Sequence, residues 1–246
     1  TLGRPGSTVD RWLTRMKLKG RLKAIADMVP GAECLADIGT DHGFLPAYLV
    51  QKGTVSRAIA ADISKGSLDK ARKLVRQLRL EDRIETRLGS GLSVLKAGEA
   101  DIIVIAGMGG ILISEILAAD EATARSASGL ILQPMTAQRE LRQWLAGHGY
   151  AIFDEELVAD QGRIYEIMAV RSGSQDIDDE LYLDIGRCLI EKRHPLLREH
   201  LERKMKKAAE IMAELEQSGS AVSTQRAEEY RDMLRRYKEV YDDISG

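Results

Sequence analysis

The sequence predicts an α/β fold: a mainly parallel sheet between layers of helix, followed by a helical hairpin. Three observations carry this. Short apolar runs, LADIG at 35–39, RAIAAD at 57–62 and ADIIVIAG at 100–107, each stop at a glycine or an acid. Buried parallel strands end this way at the carboxyl edge of a sheet. Segments with apolar residues at helical spacing lie between them. Beyond residue 200, two heptad stripes of similar length run with a short polar break between them.

The chain opens with a basic segment, in which Arg4, Arg11, Arg15, Lys17, Lys19, Arg21 and Lys23 stand against Asp10 and Asp27. Leu13, Met16, Leu22, Ile25 and Met28 supply an apolar face interrupted at Gly20. A helix is expected over 8–28, capped by Ser7 or Thr8 and ended by Pro30-Gly31. Its basic face is either solvated or a phosphate-contacting patch. The first strand ends at Ile38, and an apolar helix runs from Phe44 to Gln51. Arg57–Ala61 is the second strand, and Leu68, Ala71, Leu74, Val75 and Leu78 mark a helix over 64–78. Ile84–Leu88 is the third strand. The run at 100–106 is apolar enough to be buried on both faces, and a helix over 111–118 follows it. Gly129–Leu132 is the fifth strand, stopping at Gln133-Pro134, and a helix over 140–147 leads to an antiparallel pair, Tyr150–Val158 with Ile164–Val170.

The stretch Leu35–Pro46, LADIGTDHGFLP, is the centre of the reading. A strand, a glycine-bracketed loop and a helix build a ligand site at the carboxyl edge of such a sheet. The spacing is G-x-x-x-G rather than the dinucleotide pattern G-x-G-x-x-G, and Asp37 and Asp41 flank it. Two carboxylates would repel a pyrophosphate but suit a cationic ligand with free amino and hydroxyl groups, such as S-adenosylmethionine. The alternative is a plain structural turn. Asp62, 23 residues past Gly39, either accepts from ribose hydroxyls or caps the next helix, a role Ser64 can also fill. Gly89-Ser90-Gly91 and Gly107-Met108-Gly109-Gly110 are further glycine-bearing strand ends on the same edge.

Composition narrows the partners. The net charge of −2 over 246 residues excludes a polycation, so any nucleic-acid surface must be local. Cys34 and Cys188 are far apart and belong to no Cys/His cluster, which predicts reduced thiols, a cytosolic protein and no metal site. No apolar run is long enough for a membrane span.

Around Arg171–Gln175 the composition changes, and a domain boundary is expected there. His194-Pro195 marks a helix break. Leu201, Met205, Ala208, Met212 and Leu215, then Ala227, Tyr230, Leu234, Tyr237, Tyr241 and Ile244, form the two stripes, with Ser218-Gly219-Ser220 as the turn. The tyrosines are expected in the seam rather than as base-stacking platforms. The first helix carries Lys192, Arg193, Arg198, Arg203, Lys204, Lys206 and Lys207 with few acids. This face is an RNA-gripping arm, an ordinary solvated surface or a dimerisation arm.

The motifs LADIGTDHGFLP, IIVIAGMGG and LILQP, followed by ELRQWLAGHGY, resemble the bacterial tRNA (adenine-N1)-methyltransferases that modify the adenine at tRNA position 22. The resemblance covers almost the whole chain, including Tyr165-Glu166 and the C-terminal coiled coil. It implies a seven-stranded, Rossmann-like class I methyltransferase domain over 1–173 and a coiled-coil domain over 174–246. It also implies S-adenosyl-L-methionine as cofactor and tRNA as partner, and a monomer is expected. Asp37 and Gly39 are expected at the amino-acid end of the cofactor and Asp62 at the ribose, with Ile63 also cofactor-binding. Gly89, Ser90 and Gly91 would flank the adenine, and Ala106, Gly107 and Met108 would wall the methyl. Asp41 and His42 are the catalytic candidates, and Arg11, Arg15, Lys17, Lys19, Arg21, Arg198, Lys204 and Lys207 the RNA-binding ones. The chain departs from the family pattern in two places: Met135 stands where Asn often follows Gln-Pro, and Asp62 where Glu is common. The end of the fourth strand, Ala106–Gly109, carries no acid or amide, unlike the Asn/Asp-Pro-Pro-aromatic tetrad of enzymes that methylate adenine N6.

Two other readings remain at this point. A small-molecule methyltransferase using the hairpin to dimerise would act without RNA and tolerate loss of residues 175–246. A non-catalytic RNA-binding protein would bind RNA without transferring a methyl group.

Overall fold

The computed structural model describes residues 16–218 and 221–245. β1 (Ala32–Ile38), buried along 34–38, lies next to the central strand of the sheet. It pairs in parallel with β2 (Val55–Asp62), which pairs in parallel with β3 (Ile84–Leu88). On its other side lies β4 (Ile102–Gly109), followed by β5 (Gly129–Thr136), both parallel. β6 (Tyr150–Asp160) and β7 (Arg163–Ser172) close the sheet antiparallel, giving the order β3-β2-β1-β4-β5-β7-β6. The order reverses between β1 and β4, the place where an open α/β sheet forms its ligand crevice.

Side-chain alternation along the strands feeds two cores. Leu35, Ala60, Val104 and Ile167 face α1 (Gly20–Met28), α2 (Phe44–Lys52) and α3 (Lys65–Gln77) through Ile25, Leu49 and Val75. Ala36, Ile103, Leu132 and Met168 face α4 (Gly110–Ala119), α5 (Glu121–Ser126) and α6 (Gln138–Gly147) through Ile113, Ala124 and Leu141. Ser64 caps α3, its Oγ accepting from Ser67 N.

Two sequence expectations change. The helix expected over 8–28 begins only at Gly20 among the described residues, because Gly20 is left-handed (φ +52) and Lys19 extended. The Asp160 carboxylate accepts from Arg21 N (3.0 Å) and occupies the space a Gly20 Cβ would need. The expected cap at Ser7 or Thr8, and Arg11 and Arg15, lie outside the described residues. The fifth strand does not stop at Gln133-Pro134 but runs to Thr136. Register shifts around Met108 let β4 follow it past a proline that cannot donate to the ladder.

After β7 come α7 (Leu181–Ile185) and α8 (Arg187–Glu191), the break at His194-Pro195, then α9 (Leu197–Ser218) and α10 (Ala221–Ser245). The heptad positions of both long helices are buried or half-buried, and Tyr237 is 3% exposed, which leaves it no face for a base. At the base of this hairpin Leu181, Ile185, Leu189, Leu197, Leu201 and Tyr237 pack with Leu157 of β6 in a third core. Beside it lies a buried charge cluster. Arg142 Nη2 donates to Glu155 Oε1 and Glu166 Oε2, both at 2.7 Å, and His200 and Lys204 of α9 approach Glu166 Oε1 at 3.4 and 3.8 Å.

Candidate active site

At the carboxyl edge of β1 the chain turns through Gly39, whose N–H, with that of Thr40, donates to Ala61 O at 2.8 and 2.9 Å. Gly39 has φ +82, and a Cβ there would run into Met108 Cε. The positive φ favours glycine, and a Cβ there would have to push the Met108 methyl aside. Gly107, at φ +78, is the matching position on β4, where a Cβ would meet the Arg21 guanidinium at 3.2 Å.

The crevice has two lobes that share Gly39, Ala106 and Gly107. One, of about 470 Å³, is lined by Arg21, Leu22, Asp37, Thr40, Asp41, His42, Gly43, Phe44 and Leu45 as well. The other, of about 300 Å³, is lined by Ile38, Ala61, Asp62, Ile63, Gly89, Ser90, Gly91, Met108, Leu112 and Ile116. Every residue expected at the cofactor, and both catalytic candidates, lines one lobe or the other.

Asp37 is buried, and burial raises its carboxyl to about 6, against a lowering hydrogen bond with Thr40; Asp62 adds a further upward push. Asp62 Oδ1 accepts from Ser64 N (2.6 Å). The helix-capping duty falls to Ser64, and Asp62 Oδ2 makes no hydrogen bond among the described residues. Asp41 is exposed; its Oδ2 lies 2.6 Å from His42 Nδ1 and its Oδ1 3.4 Å from Lys70 Nζ. The His42 ring stacks on Phe44, 5.1 Å between centroids and 3° between planes.

Three of the RNA-binding candidates have partners within the protein. Arg21 points into the crevice rather than outward: Nη1 donates to Gln133 Oε1, and the guanidinium lies 5.4 Å over the Tyr165 ring. Lys204 is turned inward toward Glu166. Arg198 Nε donates to Tyr241 Oη (2.7 Å) and lies 3.7 Å from Glu202. Lys17, Lys19 and Lys207 are exposed.

Sequence reasoning missed Gln133 as part of the site. It is fully buried; its Oε1 accepts from Gly107 N (3.1 Å), and its Nε2 donates to Pro134 O (2.8 Å). A polar residue ending an apolar strand was the available signal. Met135 Sδ lies 3.7 Å from Arg21 Nη1, so the departure from Gln-Pro-Asn falls at the edge of this cluster.

A Rossmann-like sheet in this order, with paired acids and glycine-bearing strand ends at its switch point, defines a class I methyltransferase fold. Residues 35–239 match the family model described as tRNA (adenine(22)-N(1))-methyltransferase, and the chain belongs to that family. A Bacillus subtilis protein named tRNA (adenine(22)-N(1))-methyltransferase is 33% identical over 94% of this chain and 99% of its own. The crystal structure of the B. subtilis M1A22 tRNA methyltransferase TrmK superposes with TM-score 0.83 at 32% identity, covering 92% of this chain and 99% of the other. The Streptococcus pneumoniae Sp1610 structure, in complex with S-adenosyl-L-methionine, does so with TM-score 0.79 at 30% identity, covering 90% and 98%.

Proposed function

We propose that this protein transfers a methyl group from S-adenosyl-L-methionine to N1 of the adenine at position 22 of tRNA. The observation that carries the reading is the two-lobed crevice, set in a chain that belongs to this family along most of its length.

The donors present fit the cofactor. Asp37, buried and only reluctantly ionised, is a partner for an ammonium group. Across the same lobe Arg21 has no carboxylate partner for its guanidinium among the described residues and suits a carboxylate. The two side chains together match a zwitterionic amino-acid tail. Asp62 Oδ2 is open to a ribose hydroxyl, and Ile63, Met108, Leu112 and Ile116 give the second lobe apolar walls for a purine. When bound, S-adenosylmethionine supplies an electrophilic methyl group on a sulfonium.

Adenine N1 has a free lone pair, so no base is needed to create the nucleophile. The protein's task is alignment, which can supply several kcal/mol of a barrier. As the N1–carbon bond forms and the carbon–sulfur bond breaks, positive charge passes to the adenine. Asp41 is placed to stabilise that charge. Asp41 Oδ2 lies 2.6 Å from His42 Nδ1, and in the Nδ1–H tautomer His42 Nε2 is able to take a hydrogen bond or a proton from N6. The exposed Phe44 face and the His42 ring offer a surface on which a flipped base stacks.

The test is methyl transfer from labelled S-adenosylmethionine to unmodified tRNA transcripts carrying A or G at position 22, mapped by a reverse-transcription stop. Transfer to the A22 transcript alone is expected; transfer to both, or to neither while the cofactor binds, overturns the reading.

A further inference from the structure

We infer that the exposed face of α3 is a main grip on the tRNA backbone beside the target base. The inference rests on the reading of the chain as a tRNA methyltransferase and adds the surface that holds the substrate.

α3 leaves the carboxyl edge of the sheet directly after Asp62, so its first turns border the crevice. Its outer face presents Lys65, Lys70, Lys73 and Arg76, all exposed. The one acid between them, Asp69, is engaged by Arg72 at 3.1 Å. Lys65, Lys73 and Arg76 carry no side-chain ion pair or hydrogen bond among the described residues. Lys70 reaches the active-site loop itself, 3.4 Å from Asp41.

Lys65 also stands in the first turn of α3, which holds no acid. A cation there opposes the helix dipole and gives stability away. That placement adds to the positive field at the crevice mouth, where a polyanion would enter. From Lys65 to Arg76 the helix rises about 16 Å, so the cations form a stripe from the crevice rim down the flank of the domain.

The hairpin differs. Its arginines are largely neutralised from within: Arg203 by Glu199 at 2.6 Å, Arg193 by Asp243 at 3.5 Å, Arg231 by Glu216 and Arg235 by Glu239, both at 2.7 Å. A cation already paired releases fewer counterions when it meets a phosphate, and so contributes less to binding.

The test compares Lys65→Ala/Lys73→Ala/Arg76→Ala with the unaltered chain in filter binding of an A22 tRNA transcript over a salt series. Lys70 is left in place because it touches Asp41. The expected result is a dissociation constant about tenfold higher and a log–log salt slope shallower by roughly 2. S-adenosylmethionine affinity should be unchanged. The charge-preserving Lys65→Arg/Lys73→Arg/Arg76→Lys should bind as the unaltered chain does. Unchanged tRNA affinity and slope in the alanine variant would overturn the inference, as would equal loss in the charge-preserving one. Binding is read independently of catalysis. Absence of methyl transfer by the unaltered chain would count against the parent function alone.

Discussion

Tyr165 and Glu166 are neighbours on β7 that look in opposite directions. Tyr165 lies under the Arg21 guanidinium at the crevice, while Glu166 is buried on the far face against Arg142, His200 and Lys204. One strand therefore carries the wall of the site on one side and the anchorage of the hairpin on the other.

The anchorage gives the first prediction. Burial works against the Glu166 carboxylate, but Arg142, Lys204 and His200 hold it well below the usual range. Its stabilising contribution is present above its ordinary value of 4.5 and is lost as pH falls below that. Arg142→Met strands two buried carboxylates and should cost about 3–5 kcal/mol, or roughly 10 °C in Tm. Replacing Arg142, Glu155 and Glu166 together by apolar residues should recover most of that loss. A triple variant no more stable than the single would refute this account of the network.

Asp37 is a group whose burial favours function over stability. Its raised value of about 6 means that stability falls as pH rises from 3.8 through 6. Asp37→Asn should therefore stabilise the ligand-free protein at neutral pH, by up to about 3 kcal/mol. The same change should weaken S-adenosylmethionine binding at least tenfold. In the unaltered protein cofactor affinity should climb as pH rises toward 6 and level off above it. Calorimetric titrations across that range check both statements.

Arg21→Ala should weaken binding of S-adenosylhomocysteine by about 10- to 100-fold, the loss of a charge-assisted contact. It should leave 5′-methylthioadenosine, which lacks the amino-acid tail, nearly unaffected. Equal losses for both ligands would show that Arg21 supports the crevice without touching the tail.

His42→Gln and Asp41→Asn should reduce kcat by about 10²-fold or more, with little change in cofactor affinity. If Asp41 acts through His42, the double variant should be no worse than the more damaged single one. Additive losses, measured in single-turnover methylation, would separate the two roles.

Much of this was legible from residues alone. Ile102–Ile105 announce a strand buried on both faces, and the glycine-bracketed loop after β1 announces the ligand edge. Strand order and crevice follow from those elements. The inward turn of Arg21 was not legible. Its direction depends on Asp160, 139 residues away, holding the start of α1, and on Gln133 receiving the guanidinium. Helical periodicity carried the expected helix straight through Gly20, whose left-handed backbone breaks it. The pairing of Arg193 with Asp243 and of Arg231 with Glu216 was not legible either, because the partners lie far apart along the chain. Pairings between distant residues leave no trace in local spacing.

The third core carries a consequence for how such chains can vary. Leu197, Leu201 and Tyr237 lie at the foot of the hairpin and press on Leu157 of β6, the outermost strand. The foot thus shields the sheet's open edge from pairing with another chain. Shortening the chain at residue 173 would bare that edge and favour aggregation. Whole heptads added to or taken from both helices beyond that foot would keep their seam in register. The reach of the arm is adjustable; its root is not.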